Sequence, residues 1–128
     1  MSYLLDTHTF LWCVTEDPRI SKKAREIFLD KEIDLLISVA SIWEMAIKVS
    51  IGKLDIIQPY DLFIKEQVTN NALTILPARV EHVIQVARLE FHHRDPFDRL
   101  LISQAIYEGI PILGSDSAFD LYGVQRVW

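Results

Sequence analysis

The 128-residue sequence has one cysteine, four glycines and five prolines, and it has no long uncharged apolar run. A single thiol, Cys13, excludes an intramolecular disulfide framework. Lying within an apolar stretch, Cys13 is expected to be a buried thiol, and the chain to suit a reducing, cytoplasmic setting. No apolar segment approaches the roughly 18 residues that span a bilayer. Met1-Ser2-Tyr3-Leu4-Leu5-Asp6 has no basic n-region and meets an acid at once, so it does not read as a signal peptide. The sparse glycines form neither GxGxxG nor GxxxxGK[ST], which removes the main support for dinucleotide redox or nucleoside-triphosphate chemistry. A Gly-x-Ser-x-Gly nucleophile elbow is also missing. There is no excess of positive charge either: the net charge is −5. A protein that coats nucleic acid needs a basic footprint, so any nucleic-acid target is a restricted one.

What the sequence does have is half its residues hydrophobic and about a quarter charged, the balance of a globular domain with a substantial core. No repeat, low-complexity segment or linker interrupts it, and residues 1–128 are expected to form one domain. Short apolar runs alternate with helix-like periodicity. Tyr3-Leu4-Leu5 predicts a first strand ending on Asp6, and residues 9–14 are helix-compatible. After the turn at Asp17-Pro18, Ser21 is a suitable N-cap for a helix to about residue 30. Residues 34–38 predict a buried strand. A helix over 41–51 is closed by Gly52. Further helices are expected over 60–68, 80–89 and 96–108, with strands over 73–76, 110–113 and, as a fifth candidate, 124–127. Buried strands alternating with helices define an α/β protein, a three-layer α/β/α sandwich around a short, mostly parallel sheet. In such folds the working residues lie beyond the carboxyl ends of the strands.

Four acids can converge at that edge: Asp6, Glu44, Asp98 and Asp116. Each also has an ordinary structural explanation. Asp6 could cap the helix that follows it. Glu44 stands three residues after Ser41, as in a capping box, and four before Lys48, a helical ion-pair spacing. Asp116 could cap a turn after the fourth strand. Asp98 is different. In Asp95-Pro96-Phe97-Asp98 the first acid is a good N-cap and Pro96 suits the first helical position. Asp98 then projects from the face of Ile102 and Ala105, where an uncompensated carboxylate is costly. Trp12, Trp43 and Phe97 are expected in the core. His92 and His93 are adjacent and lack the spacing of a zinc pair. His93, Arg94 and Arg99 are candidates to contact a phosphate.

Clustered carboxylates cannot all ionise without a counter-ion, and oxygen-only donors suit Mg²⁺ or Mn²⁺. Such ions activate water and stabilise the leaving oxygen in phosphodiester hydrolysis. A phosphoacceptor signalling domain needs paired acids at the first strand and a lysine after the last. Asp6 has no acidic neighbour, and no lysine follows Lys65. A catalytically silent binding module with the same fold is a further alternative, against which the full set of acids argues.

These residues resemble the PIN domain, in particular the VapC-like toxins of bacterial toxin–antitoxin pairs. The resemblance is carried by Leu4-Leu5-Asp6-Thr7-His8, by Ser38-Val39-Ala40-Ser41-Ile42-Trp43-Glu44 with Ile47-Lys48 and Gly52-Lys53-Leu54, by His93-Arg94-Asp95-Pro96-Phe97-Asp98-Arg99-Leu100-Leu101, and by Ser115-Asp116 with Phe119 and Tyr122. It spans the chain from end to end in the family's order. It implies a Mg²⁺- or Mn²⁺-dependent endoribonuclease with Asp6, Glu44, Asp98 and Asp116 as catalytic metal ligands. Thr7 and Ser115 are implied as supporting hydroxyls. It further implies a homodimer, an RNA substrate such as tRNA or ribosomal RNA, and a small antitoxin that reaches into the acidic site.

Overall fold

A computed structural model describes residues 1–128. Five strands form one sheet in the order β3-β2-β1-β4-β5, with every neighbouring pair parallel. The strands are β1 (Ser2–Leu5), β2 (Asp34–Ser38), β3 (Thr74–Leu76), β4 (Ile112–Leu113) and β5 (Arg126–Val127). Helices α1 (Thr7–Val14) and α2 (Lys22–Leu29) join β1 to β2. α3 (Val39–Ser50) and α4 (Tyr60–Asn70) join β2 to β3, and α5 (Val80–Val86) and α6 (Pro96–Glu108) lead to β4. A 3₁₀ helix, Ser117–Tyr122, precedes β5.

Alternate side chains of the central strands feed two separate cores, while the edge strand β3 leaves Thr74 and Ile75 exposed. Tyr3 and Leu5 of β1, Leu35 and Ile37 of β2, and Leu113 of β4 pack with Phe10, Ala24, Phe28 and Met45. Leu4 and Ile112 point the other way, onto Leu101, Ile102 and Ala105 of α6 and onto Phe119. This is the three-layer sandwich that the continuous apolar runs require. Cys13 is half-buried, and burial pushes its thiol up to about 12. No helix is long and apolar enough to cross a membrane.

The strand order reverses between β1 and β4, so the chain leaves the sheet in opposite directions there. That switch opens a crevice at the carboxyl ends of these two strands. β1 and β4 are held in register by Leu5 opposite Leu113, and the Asp6 N–H donates to the Leu113 carbonyl at 3.0 Å.

Two expectations are corrected. α3 starts at Val39 with Ser38 as its N-cap, not at Ser41, and the Ser38 Oγ accepts from the Ala40 N–H at 3.0 Å. The last residue of β2 caps the helix directly, with no intervening loop. Trp43 is 58% exposed rather than in the core. α3 turns Ala40, Ser41, Glu44 and Met45 inward, which leaves Trp43 on the outer face against the edge of Phe97.

Candidate active site

Asp6 occupies the N-cap position of α1 with extended backbone, yet its side chain makes no capping hydrogen bond. The carboxylate is therefore available to the crevice, although it is only 3% exposed. Gly114 lies alongside it across the β1–β4 pair. A Cβ on Gly114 would stand 3.1 Å from the Asp6 Cβ and 3.2 Å from Phe119. The absence of a side chain at 114 is thus what gives Asp6 its room. Nothing in the sequence singled out Gly114 beyond its place just after a strand.

Because the N-cap of α3 is Ser38, three residues before Ser41, Glu44 falls in the second turn rather than at N3. The capping-box explanation of Glu44 is thereby removed. The side chain is buried, at 4% exposure. Its Oε2 pairs with Lys48 Nζ at 3.1 Å, while Oε1 has no hydrogen-bond partner. A buried carboxylate oxygen without a partner costs free energy unless a cation or donor reaches it. Ser41 instead accepts from the Thr7 hydroxyl at 2.9 Å, which ties α1 to α3 beneath the acids.

Asp98 is delivered as its local sequence dictates. Asp95 caps α6, accepting from the N–H groups of Phe97 at 2.8 Å and Asp98 at 3.2 Å, with Pro96 at N1. Asp98 lies at 9% exposure on the face that buries Ile102 and Ala105. Asp116 caps the 3₁₀ helix through Oδ1, which accepts from the Ala118 N–H at 2.9 Å, and this leaves Oδ2 turned to the site. His93 Nε2 reaches that oxygen at 3.2 Å and Asp98 Oδ2 at 3.1 Å.

The other His93 nitrogen settles its role. Nδ1 accepts the Asp95 backbone N–H at 3.1 Å, so in the neutral ring Nε2 carries the hydrogen. The imidazole is accordingly a donor to Asp116 and Asp98, although one oxygen from each acid and Nε2 lie within 4.8 Å of one another. The loop that presents His93 is pinned from below. The Tyr122 hydroxyl accepts from the His92 and His93 N–H groups at 2.9 and 2.7 Å. Arg99 donates to the Glu90 carbonyl at 3.0 Å and to Tyr122 at 3.2 Å, with its guanidinium over Phe91. Arg99 is buried and donates to Glu90, Tyr122 and the Val86 carbonyl at the end of α5, which takes it away from the expected phosphate contact. Arg94 is exposed on the same loop, and Ser115 lines the cleft with Asp6, Asp98 and Asp116.

The electrostatics link all four acids. Burial is the largest cause raising the Asp6 carboxyl, and repulsion from Glu44 and then Asp116 adds to it. The nearby Thr7 and His8 amides counter only in part, and Asp6 stands at about 7. Burial likewise drives Asp98 to about 7, with Asp6, Asp95 and Glu44 raising it and His93 opposing. Desolvated acids that repel one another are compensated by a cation. A set of carboxylate oxygens with one unpartnered buried member, Glu44 Oε1, fits a hard divalent ion such as Mg²⁺ or Mn²⁺.

The PIN domain family profile matches residues 3–124, and the chain belongs to that family. No curated protein sequence gives a significant match. Similar solved structures include VapBC2 from Rickettsia felis bound to a DNA fragment from their promoter, with 15% identity, a TM-score of 0.75, and coverage of 99% of this chain and 98% of that one. DNA-bound VapBC from Salmonella typhimurium has 17% identity and a TM-score of 0.74, covering 99% and 97%. FitAcB from Neisseria gonorrhoeae has 17% identity and a TM-score of 0.69, covering 100% and 97%. At these identities the likeness is one of fold.

Proposed function

We propose that the protein is a metal-dependent endoribonuclease, with Asp6, Glu44, Asp98 and Asp116 holding Mg²⁺ or Mn²⁺, and that it is the toxin of a toxin–antitoxin pair. One observation carries the nuclease reading: four acids from four separate elements share one electrostatic environment at the β1–β4 switch, and burial has raised two of them to about 7. Surface acids kept for solubility would not be desolvated there. When bound, the ion would neutralise the acids, activate a water and polarise the phosphodiester. Asp6 and Asp98 provide buried oxygens, Glu44 an oxygen free of protein partners, and Asp116 an oxygen on the open side. His93 orients Asp98 and Asp116 through Nε2–H. Thr7 braces α1 against α3, and Ser115 stands at the cleft wall. In the reaction a bond forms from the water oxygen to phosphorus, and the bond to one ester oxygen breaks.

The toxin role, a homodimer and a small antitoxin partner rest on the family resemblance. Similar folds occurring within VapBC complexes support the toxin role and the antitoxin partner, and the homodimer rests on the resemblance alone. The test is sequencing of cleaved RNA ends after brief induction in cells. The reading expects discrete new ends with the unaltered protein and none with Asp98→Asn. Identical RNA ends in both strains would overturn it.

A further inference from the structure

Besides the acids and Ser115, three residues line the acidic cleft, and one of them, His8, places Nδ1 3.9 Å from Asp6 Oδ2. A cavity of about 300 Å³ is lined by Asp6, Asp98, Ser115 and Asp116 together with His8, Trp12 and Arg19. His8 and Trp12 are four residues apart on α1 and so share a face. Their ring centroids are 6.0 Å apart at a 43° tilt. The Trp12 indole also packs edge-on with Trp128, their ring centroids 5.8 Å apart. Arg19 lies over Trp12, its guanidinium carbon 4.8 Å from the ring centroid.

Asp17 holds that guanidinium in place at two points, Nε to Oδ1 at 3.0 Å and Nη2 to Oδ2 at 2.8 Å. Asp17 also accepts the Arg19 backbone N–H at 2.9 Å. The same carboxylate offsets the Arg19 charge, so Arg19 offers an oriented plane more than a free cation. Tight as this arrangement is, the side chains of His8 and Arg19 remain 55% and 67% exposed. Two flat groups beside the Trp12 indole are thus accessible at the acidic cleft.

We infer that His8 and Arg19, supported by Trp12, form a stacking subsite for an unpaired nucleobase beside the scissile phosphate. Flat aromatic and guanidinium faces accept any base, and they hold single-stranded RNA without reading its sequence. The subsite also offers attraction next to four acids that would otherwise repel the phosphate chain. This inference rests on RNA being the substrate.

The test measures binding of short, labelled single-stranded RNA by fluorescence anisotropy in the Asp98→Asn background, where cleavage is arrested. His8→Ala with Arg19→Ala is expected to weaken binding roughly tenfold, the loss associated with one base stack. In the parent, one abasic position within the RNA should cause a similar loss. In the double variant that abasic position should cost nothing further. Arg19→Lys keeps the charge without the plane and should fall with Arg19→Ala. Matching thermal melts establish that the exposed substitutions leave the fold intact. Binding unchanged in the double variant, or fully restored by Arg19→Lys, would overturn the subsite. Absence of RNA binding by the parent, together with absence of RNA cleavage by the unaltered protein, would overturn the proposed function instead.

Discussion

The Asp95 backbone N–H donates to His93 Nδ1 at 3.1 Å, and this hydrogen bond fixes which face of the imidazole meets the acids. Asp95 thereby does two things. Its side chain starts the helix that carries Asp98, and its backbone turns His93 into a donor toward Asp98 and Asp116. His93→Ala is expected to weaken Mn²⁺ binding by about tenfold or more, the usual effect of losing a group that orients metal ligands. His93→Gln, which can return a donor near the Nε2 position, should recover part of the loss. Calorimetric titration of Mn²⁺ into the three proteins checks this. Equal affinities would remove His93 from the site.

Metal-free protein should respond to pH in an uncommon direction. Asp6 and Asp98 stand at about 7 in the folded chain, against 3.8 for the unperturbed group. Between those values the folded form holds protons that the unfolded form has released. The contribution of these two acids to stability is therefore greatest below about pH 4 and is lost as pH rises through about 7. Thermal melts in EDTA should show Asp98→Asn gaining on the unaltered protein across that range, and Mg²⁺ should reverse the order at neutral pH. A pH-independent difference between the two would contradict the assignment.

Gly114→Ala tests the spacing of β1 and β4. The added methyl meets the Asp6 Cβ and the Phe119 ring at 3.1 and 3.2 Å. Relief requires movement of a few tenths of an ångström by the strand end that presents Asp6. Overpacking of this kind costs about 1–3 kcal/mol. RNA cleavage is expected to fall further than stability does, because catalysis tolerates displaced ligands poorly. Urea unfolding and cleavage rates measured together separate the two effects.

Arg99 should behave as a structural clamp. Arg99→Ala releases the Glu90 carbonyl and the Tyr122 hydroxyl, and it is expected to cost on the order of 2 kcal/mol, typical of hydrogen bonds to a charged group. The salt dependence of RNA binding should stay as it was, since no phosphate contact is lost. A shallower salt dependence with unchanged stability would return Arg99 to the substrate.

Local signals carried much of this architecture. Leu4-Leu5 and Leu35-Leu36-Ile37 read as strands because burial on both faces demands continuous apolar runs. Asp98 was placed at N3 because Pro96 and Asp95 fix where α6 begins. The start of α3 is ambiguous in the sequence because Ser38 and Ser41 are both competent caps. Only the direct passage of β2 into the helix decides between them. The Arg99–Tyr122 clamp joins residues 23 apart in sequence, and no periodicity records such a pairing. The part played by His93 was equally hidden, since it depends on which nitrogen a neighbouring backbone N–H occupies. The pairing of His8 with Trp12 depends on α1 beginning at Thr7, two residues before the helix expected from sequence, and the return of Arg19 onto Trp12 depends on the Asp17 turn.

The most direct measurement follows cleavage of a labelled single-stranded RNA by the purified protein, with Mg²⁺ or Mn²⁺ and then with EDTA, beside Asp98→Asn under the same conditions. Cleavage should require the divalent ion, stop on chelation and resume when Mn²⁺ is restored. The Asp98→Asn protein should melt as a folded chain and cut nothing. Undiminished cleavage by folded, metal-bound Asp98→Asn, or cleavage that persists in EDTA, would contradict the four-carboxylate account.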